Sequence, residues 1–203
     1  MMNTDQTGLR IHLADDLQGG FASLVATYQH QLYAFLLRRL GDPREAEDLV
    51  QETFLQAYYS LKRYPAERIQ ALALRAWLYK IASNVLMNAL RRFTSSSVSL
   101  ETVEEMLEME LEEEATQPER VLEELEIRRE LETLIRRLPR QYAETVTLYY
   151  FGQLSYQEIA YVLNCSPDTA RSYRHRGIQY LRKALRAQSS ERGSDQSNHA
   201  TLF

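Results

Sequence analysis

The sequence predicts an all-α protein of two small helical domains joined by an acidic linker, and three observations carry that expectation. Only seven Gly and five Pro occur in 203 residues, so long stretches contain neither helix breaker. Apolar residues recur at three- and four-residue spacing in one segment after another, while few runs alternate in the manner of a strand. The charge is also uneven: residues 1–100 carry 11 Lys and Arg against 9 Asp and Glu, residues 101–130 carry 3 against 13, and residues 131–186 carry 9 against 4. The formal net charge of -4 is therefore concentrated in the middle of the chain.

Residues 1–20 read as a flexible polar lead, because MMNTDQTGLRIHLADDLQGG lacks the continuous apolar core of a secretory signal. No apolar run is long enough to span a bilayer, so no membrane insertion is expected. A single cysteine, Cys165, excludes an internal disulfide framework, and four scattered histidines lack metal-ligand spacing. No cofactor is expected, and the cytoplasm is the expected compartment.

The first domain is expected at 21–94. Its first helix starts near Phe21, with Leu24, Tyr28, Leu32, Phe35 and Leu36 at helical spacing, and Gly41 stops it. Asp42-Pro43 with Glu45 starts the next helix, which reaches Leu61. A break at YPAER precedes a third helix on RAWLYKIASNVLMNALRR. Serines and then glutamates mark residues 95–118 as a linker, since like charges at helical neighbours repel and few apolar groups are left to bury; a plain solvated spacer is the alternative. Helical periodicity resumes at Pro118, and 119–186 reads as a second, separate domain. The polar tail 187–203 is expected to be disordered.

Residues 154–177, LSYQEIAYVLNCSPDTARSYRHRG, hold the sharpest local signal. Ser155 followed three residues later by Glu158 is a capping box, in which each side chain satisfies the other residue's free backbone donor. Ile159, Ala160 and Leu163 supply a buried stripe, and Asn164 stands where the chain leaves the helix in a left-handed conformation. Ser166-Pro167 restarts a helix as N-cap and first-turn proline. Two capped helices across so short a turn cross steeply. That is the geometry of a helix-turn-helix, whose second helix can enter the DNA major groove.

On that second helix Ala170, Tyr173, Gly177, Leu181 and Ala184 follow an inward stripe. Arg171, Ser172, Arg174, His175 and Arg176 fill the remaining surface. Arginine's paired donors suit guanine edges or phosphate, whereas the bland alternative is a basic face serving solubility. Cys165 reads as a small core residue, with nothing nearby to stabilise a thiolate.

In the first domain, helical projection of 44–61 sends Ala46, Leu49, Val50, Thr53, Phe54, Ala57 and Leu61 to one side as the core face. Asp48, Gln51, Leu55 and Tyr59 share the opposite side, either as a docking surface or as scattered exposure. On the third helix Trp77, Lys80, Asn84, Asn88 and Arg91 align beside the apolar stripe Leu78, Ile81, Val85 and Ala89. Aromatic, amide and cationic groups on one face suit unpaired bases and phosphates, with Trp77 as core anchor the equal alternative.

The segments FASLVATYQHQLYAFLLRRLGDPREAEDLVQETFLQAY, RAWLYKIASNVLMNALRR and LPRQYAETVTLYYFGQLSYQEIAYVLNCSPDTARSYRHRG, in that order, resemble the bacterial extracytoplasmic-function (ECF) sigma factors, over 21–92 and 119–186. The resemblance implies a sigma region 2-like bundle and a region 4-like helix-turn-helix. It also implies a function: binding core RNA polymerase and directing promoter recognition, DNA melting and transcription initiation. The helix 43–61 would dock on the β′ clamp helices through Asp48, Gln51, Glu52, Phe54, Leu55 and Tyr59, and the second domain would meet the β flap.

The segment 62–92 would melt and read the −10 element. Its candidates are Lys62, Arg63, Tyr64 and Arg75 in the loop, which also holds Arg68, and Trp77, Lys80, Asn84, Asn88 and Arg91 on the helix. Melting needs no hydrolysis if an unstacked base gains a pocket and its strand gains cationic contacts. For the −35 element the candidates are Ser155, Ser166, Thr169 and Arg171, with Ser172, Tyr173, Arg174 and Arg176. The acidic linker would thread near the RNA path, and an anti-sigma factor is a candidate partner. Three departures from the family stand out: RIQALALRAW replaces the commoner Phe-x-x-Trp, Asn88 stands where Asp is frequent, and Tyr173-Arg174 stands where Arg and then Leu are frequent.

The main rival is a helix-turn-helix regulator that binds a two-fold symmetric operator as a dimer without replacing the polymerase's own specificity factor. A purely protein-binding helical adaptor leaves the capped basic helix unexplained. An enzyme is least expected, since no phosphate-binding glycine loop, metal ligand set or nucleophile with its base occurs.

Overall fold

The computed structural model describes residues 3–95 and 118–199, with side chains over 6–92 and 127–187. Among the described residues there are nine helices and no strand. They are α1 (Asn3–Asp15), α2 (Leu17–Leu40), α3 (Pro43–Leu61), α4 (Ala66–Gln70), α5 (Leu74–Ser95), α6 (Pro118–Arg137), α7 (Arg140–Tyr150), α8 (Tyr156–Leu163) and α9 (Pro167–His199). The linker expected at 95–118 falls almost wholly outside the described residues.

The helix boundaries follow from capping chemistry. Gly41, at φ 80°, ends α2 in the left-handed region and donates to the Leu37 carbonyl at 2.7 Å. Asp42 then opens α3 by accepting from Arg44 N at 2.8 Å and Glu45 N at 3.2 Å, with Pro43 in the first turn.

Three expectations about the ends and breaks are corrected. The lead is not loose: residues 3–15 form α1, and Asp16 caps α2 by accepting from Gln18 N. Leu9 and Leu13, four residues apart, dock α1 on the bundle, and Leu13 is buried. Gly20 makes the close approach possible, because a Cβ there would lie 2.7 Å from the Leu13 backbone. Arg10 Nη1 also donates to the Leu72 carbonyl at 3.3 Å. The break after Tyr64 holds the short helix α4, whose Ile69 is buried. The tail expected to be disordered continues α9 to His199, since extending an anchored helix costs far less than nucleating one.

In the first domain α2, α3 and α5 enclose a core that includes Leu24, Leu32, Phe35, Leu61, Leu78 and Tyr79. In the second, Leu134, Ile135, Ala143, Val146 and Leu181 join α6, α7 and α9. Gly177 lets α9 approach α7, because a Cβ there would meet Val146 Cγ2 at 2.7 Å.

The second domain does not stand apart, as the sequence reading had it. The large apolar cluster runs on through Leu148, Leu154, Ile159, Val162 and Ala170, and α8 lies alongside α5. The reason is that α8 is apolar on more than one side, burying Ile159, Ala160 and Val162, and α5 offers it a second partner beyond α9.

Candidate promoter and polymerase interfaces

The helix-turn-helix is built by the caps read from the sequence. Glu158 N donates to Ser155 Oγ at 3.3 Å, and Ser155 N donates to the Glu158 carboxylate at 2.8 Å. Asn164, at φ 53°, turns the chain out of α8, and Cys165 N reaches back to the Ala160 carbonyl at 3.0 Å. Ser166 Oγ accepts from Thr169 N at 3.1 Å and starts α9. Ser155, Ser166 and Thr169 therefore spend their hydroxyls on helix ends. Cys165 is half-buried, and burial pushes its thiol pKa up, in keeping with a packing role.

Along α9 the basic residues divide. Arg171, Ser172, His175 and Arg176 are exposed, and with Arg174 they line an open depression of about 390 Å³. Arg171 is steadied by Asp168 at 3.2 Å and by the Tyr156 ring, 5.2 Å from its guanidinium. Arg176 lies 3.5 Å from the Tyr142 hydroxyl, and that bond raises its pKa further.

Arg174 differs from both. Its half-buried guanidinium sits 4.8 Å over Tyr149 and 5.7 Å over Tyr156, two rings stacked at 5.2 Å. Tyr173 is half-buried with its ring edge-on to Tyr142. Tyr173 and Arg174 thus both pack against aromatic rings, while Arg174 keeps an edge in the open depression.

On α3 the outward face is open. Asp48, Gln51, Leu55 and Tyr59 are exposed, Leu55 at 55% and Tyr59 at 54%. Glu52 is half-buried, accepts from Gln56 at 3.1 Å and lies 4.0 Å from Arg92 on α5. Phe54 is corrected as a surface candidate: it is buried against Phe21, on the core face where helical spacing had put it.

The stripe on α5 splits. Trp77 is buried, with Tyr64 beside it at 6.3 Å and the Arg68 guanidinium 3.7 Å over Tyr64, so Trp77 is a core anchor rather than a free stacking platform. Asn84, Asn88 and Arg91 are exposed, as are Lys62 and Arg63 in the loop.

Arg75 and Lys80 are half-buried and engaged by the second domain. Arg75 Nη2 donates to the Gln153 carbonyl at 2.6 Å and lies 3.6 Å from the Glu158 carboxylate. Lys80 Nζ donates to the Tyr161 carbonyl at 2.7 Å.

Sequence reasoning missed the groups that hold the domains together. Glu144 is 3% exposed, accepts from Ser83 Oγ at 3.0 Å, and has Arg140 at 3.5 Å. Arg39 is 8% exposed, and burial lowers its pKa despite the nearby Glu144 charge. Arg38 lies 3.5 Å from Glu132 and 4.3 Å over the Phe151 ring. One signal was available: Glu144 interrupts an otherwise uncharged stretch from Ala143 to Leu148, all of which is buried.

Residues 24–95 match the family Sigma-70 region 2, and residues 128–181 match Sigma-70, region 4. The chain is 30% identical over 174 residues to the ECF RNA polymerase sigma factor SigW of Bacillus subtilis, covering 83% of this chain and 90% of the relative. The chain belongs to the ECF sigma factors.

It is also 34% identical to the RNA polymerase sigma-H factor of Pseudomonas aeruginosa, over 81% of this chain and 86% of that one. Among solved structures, CnrH in complex with the cytosolic domain of CnrY shares the fold at a TM-score of 0.64 and 21% identity, covering 90% of this chain and 97% of that one. The sigma factor RpoE bound to the anti-sigma factor NepR, from Bartonella quintana, shares it at 0.63 and 21% identity, over 82% and 96%. As an ECF sigma factor, the chain directs RNA polymerase to promoters and initiates transcription. No described helix is long and apolar enough to cross a membrane.

Proposed function

We propose that the two domains divide initiation between them, in the cytoplasm and without catalysing a reaction of their own. The outward face of α3, with Leu55 and Tyr59 at its centre and Asp48, Gln51 and Glu52 around them, docks on the β′ clamp helices of core polymerase. The helix-turn-helix domain meets the β flap. The loop 62–73 and α5 hold the melted −10 strand, with Lys62, Arg63, Arg75, Lys80 and Arg91 for phosphates and Asn84 and Asn88 for base edges. Tyr64, with the Arg68 guanidinium over its ring and Trp77 beside it, forms a wall against which an unstacked base can lie.

The −35 element is read by Arg171, Ser172 and Arg176, while Arg174 and Tyr173 set the pitch of α9. The observation that carries this reading is the pairing of a bare apolar-polar face on α3 with a capped basic recognition helix in one chain matching both sigma regions. Two of the solved neighbours are bound to partner proteins, and an anti-sigma factor is a fitting regulator here too. Transcription with purified core polymerase and mapped start sites tests the proposal: initiation at discrete promoters only when this chain is added is expected. Tight duplex binding by the free chain with no initiation would favour the ordinary regulator instead.

A further inference from the structure

Resting on that reading, we infer that α1 is a positioning element for the wall that receives the unstacked −10 base, and that Arg10 is the residue through which it acts. α1 holds α4 in place, and α4 holds Arg68 over Tyr64. α4 cannot hold itself: it has five residues, begins after Pro65 with no capping side chain, and buries only Ile69. An isolated helix shorter than about 12 residues is marginal in water, so a helix this short takes its position from what packs on it. Its chief helical neighbour is α1, which is itself seated on the bundle by Leu9 and Leu13.

Arg10 ties the two helices together. Its Nη1 donates to the Leu72 carbonyl at 3.3 Å, 62 residues further along the chain, while Nη2 donates to Thr7 Oγ1 at 3.0 Å and fixes the plane of the guanidinium. Leu72 lies past the last turn of α4, so its carbonyl has no donor within that helix, and its own N–H donates back to the Ile69 carbonyl at 3.1 Å. From α4 the path to the base is short, since Arg68 lies 3.7 Å over the Tyr64 ring. Stacking and charge respond differently if α4 shifts. A gap of about 1 Å forfeits up to about half of a dispersion contact, whereas Lys62 and Arg63 attract phosphates over roughly a Debye length, about 8–10 Å. α1 therefore governs capture of the unstacked base and leaves the general pull on the strand unchanged. Its principal neighbours are α2 and α4, so the outward face of α3 is untouched by it.

The test uses the full chain bound to core polymerase and a single-stranded −10 oligonucleotide from a promoter with mapped start sites, each base in turn replaced by an abasic residue. In the wild type the position with the largest loss of affinity on base removal marks the captured base. Arg10→Ala is expected to shrink that loss about five- to tenfold as the competent fraction of the wall falls, with affinity for the abasic strand, core capture and thermal unfolding unchanged. A base effect as large as the wild type's overturns the inference and leaves the reading of Tyr64 intact. Equal weakening of intact and abasic strands also overturns it, since that is what a merely structural role produces. If the wild-type complex initiates but no position responds to base removal, the wall assigned to Tyr64 falls, and the inference with it.

A double-variant cycle gives an independent arm. In a Tyr64→Ala background the wall is already gone, so adding Arg10→Ala is expected to change the base-dependent affinity no further. The same fold-loss from Arg10→Ala in both backgrounds shows that Arg10 does not act through Tyr64 and overturns the inference.

Discussion

The two outward faces of the first domain are treated oppositely. The α3 face is bare, with Leu55 and Tyr59 each more than half exposed, while the N-terminal half of the α5 face lies under α8 with its cations occupied. Both faces carry mixed polar and apolar residues at helical spacing, so composition alone does not distinguish them. What separates them is a neighbour. A helix apolar on two sides finds α5 and leaves α3 alone, so Leu55 and Tyr59 stay outside while Arg75 and Lys80 are covered.

The largest expected effect probes the covered side. Trp77→Ala removes a buried aromatic and should cost about 3–5 kcal/mol in urea unfolding, whereas Leu55→Ala on the open side should be near neutral. Equal costs at the two positions would erase the distinction. Next, Leu55→Glu with Tyr59→Glu should weaken capture of core polymerase by about 2 kcal/mol or more, as expected for central interface anchors, with unfolding unchanged. Loss of fold instead would mean the face is structural.

A smaller effect separates the arginines of α9. Arg171→Ala should cost about 1–3 kcal/mol of discrimination at one −35 base pair, and Arg174→Leu should leave the preferred sequence alone. A changed −35 preference in Arg174→Leu would return Arg174 to the reading face.

The smallest effect lies on the inner side of α5. Tyr79 is fully buried, its hydroxyl has no hydrogen-bond partner among the described residues, and burial pushes its pKa up to about 12. A raised folded-state pKa favours the neutral phenol, so its contribution is intact below pH 10 and is lost as pH rises through about 12. Tyr79→Phe should therefore gain up to about 1 kcal/mol at neutral pH, and its advantage should widen between pH 10 and 12 in alkaline unfolding. A loss of stability would reveal a buried partner for the hydroxyl.

Local chemistry was legible and long-range chemistry was not. Ser155 with Glu158, Asn164 and Ser166-Pro167 each specify a backbone conformation through atoms a few residues away, so the helix-turn-helix could be read from sequence. α1 was missed because two leucines in a polar stretch are a weak signal, and their value depends on Gly20 admitting a close approach. The direction of Arg174 depends on Tyr149 and Tyr156 lying stacked beneath it. The docking of the second domain on α5 rests on contacts such as Ser83 with Glu144 on α7 and Lys80 with Tyr161 on α8, 61 and 81 residues apart in the chain. No periodicity within either helix names its partner.

The most direct measurement compares the affinity of the free chain and of its complex with core polymerase for one single-stranded −10 oligonucleotide, taken from a promoter with mapped start sites. A covered α5 face requires the free chain to bind at least about tenfold more weakly than the complex, with the gap narrowing as salt loosens the ion-paired interface. Equal affinity for free and core-bound chain would contradict the account.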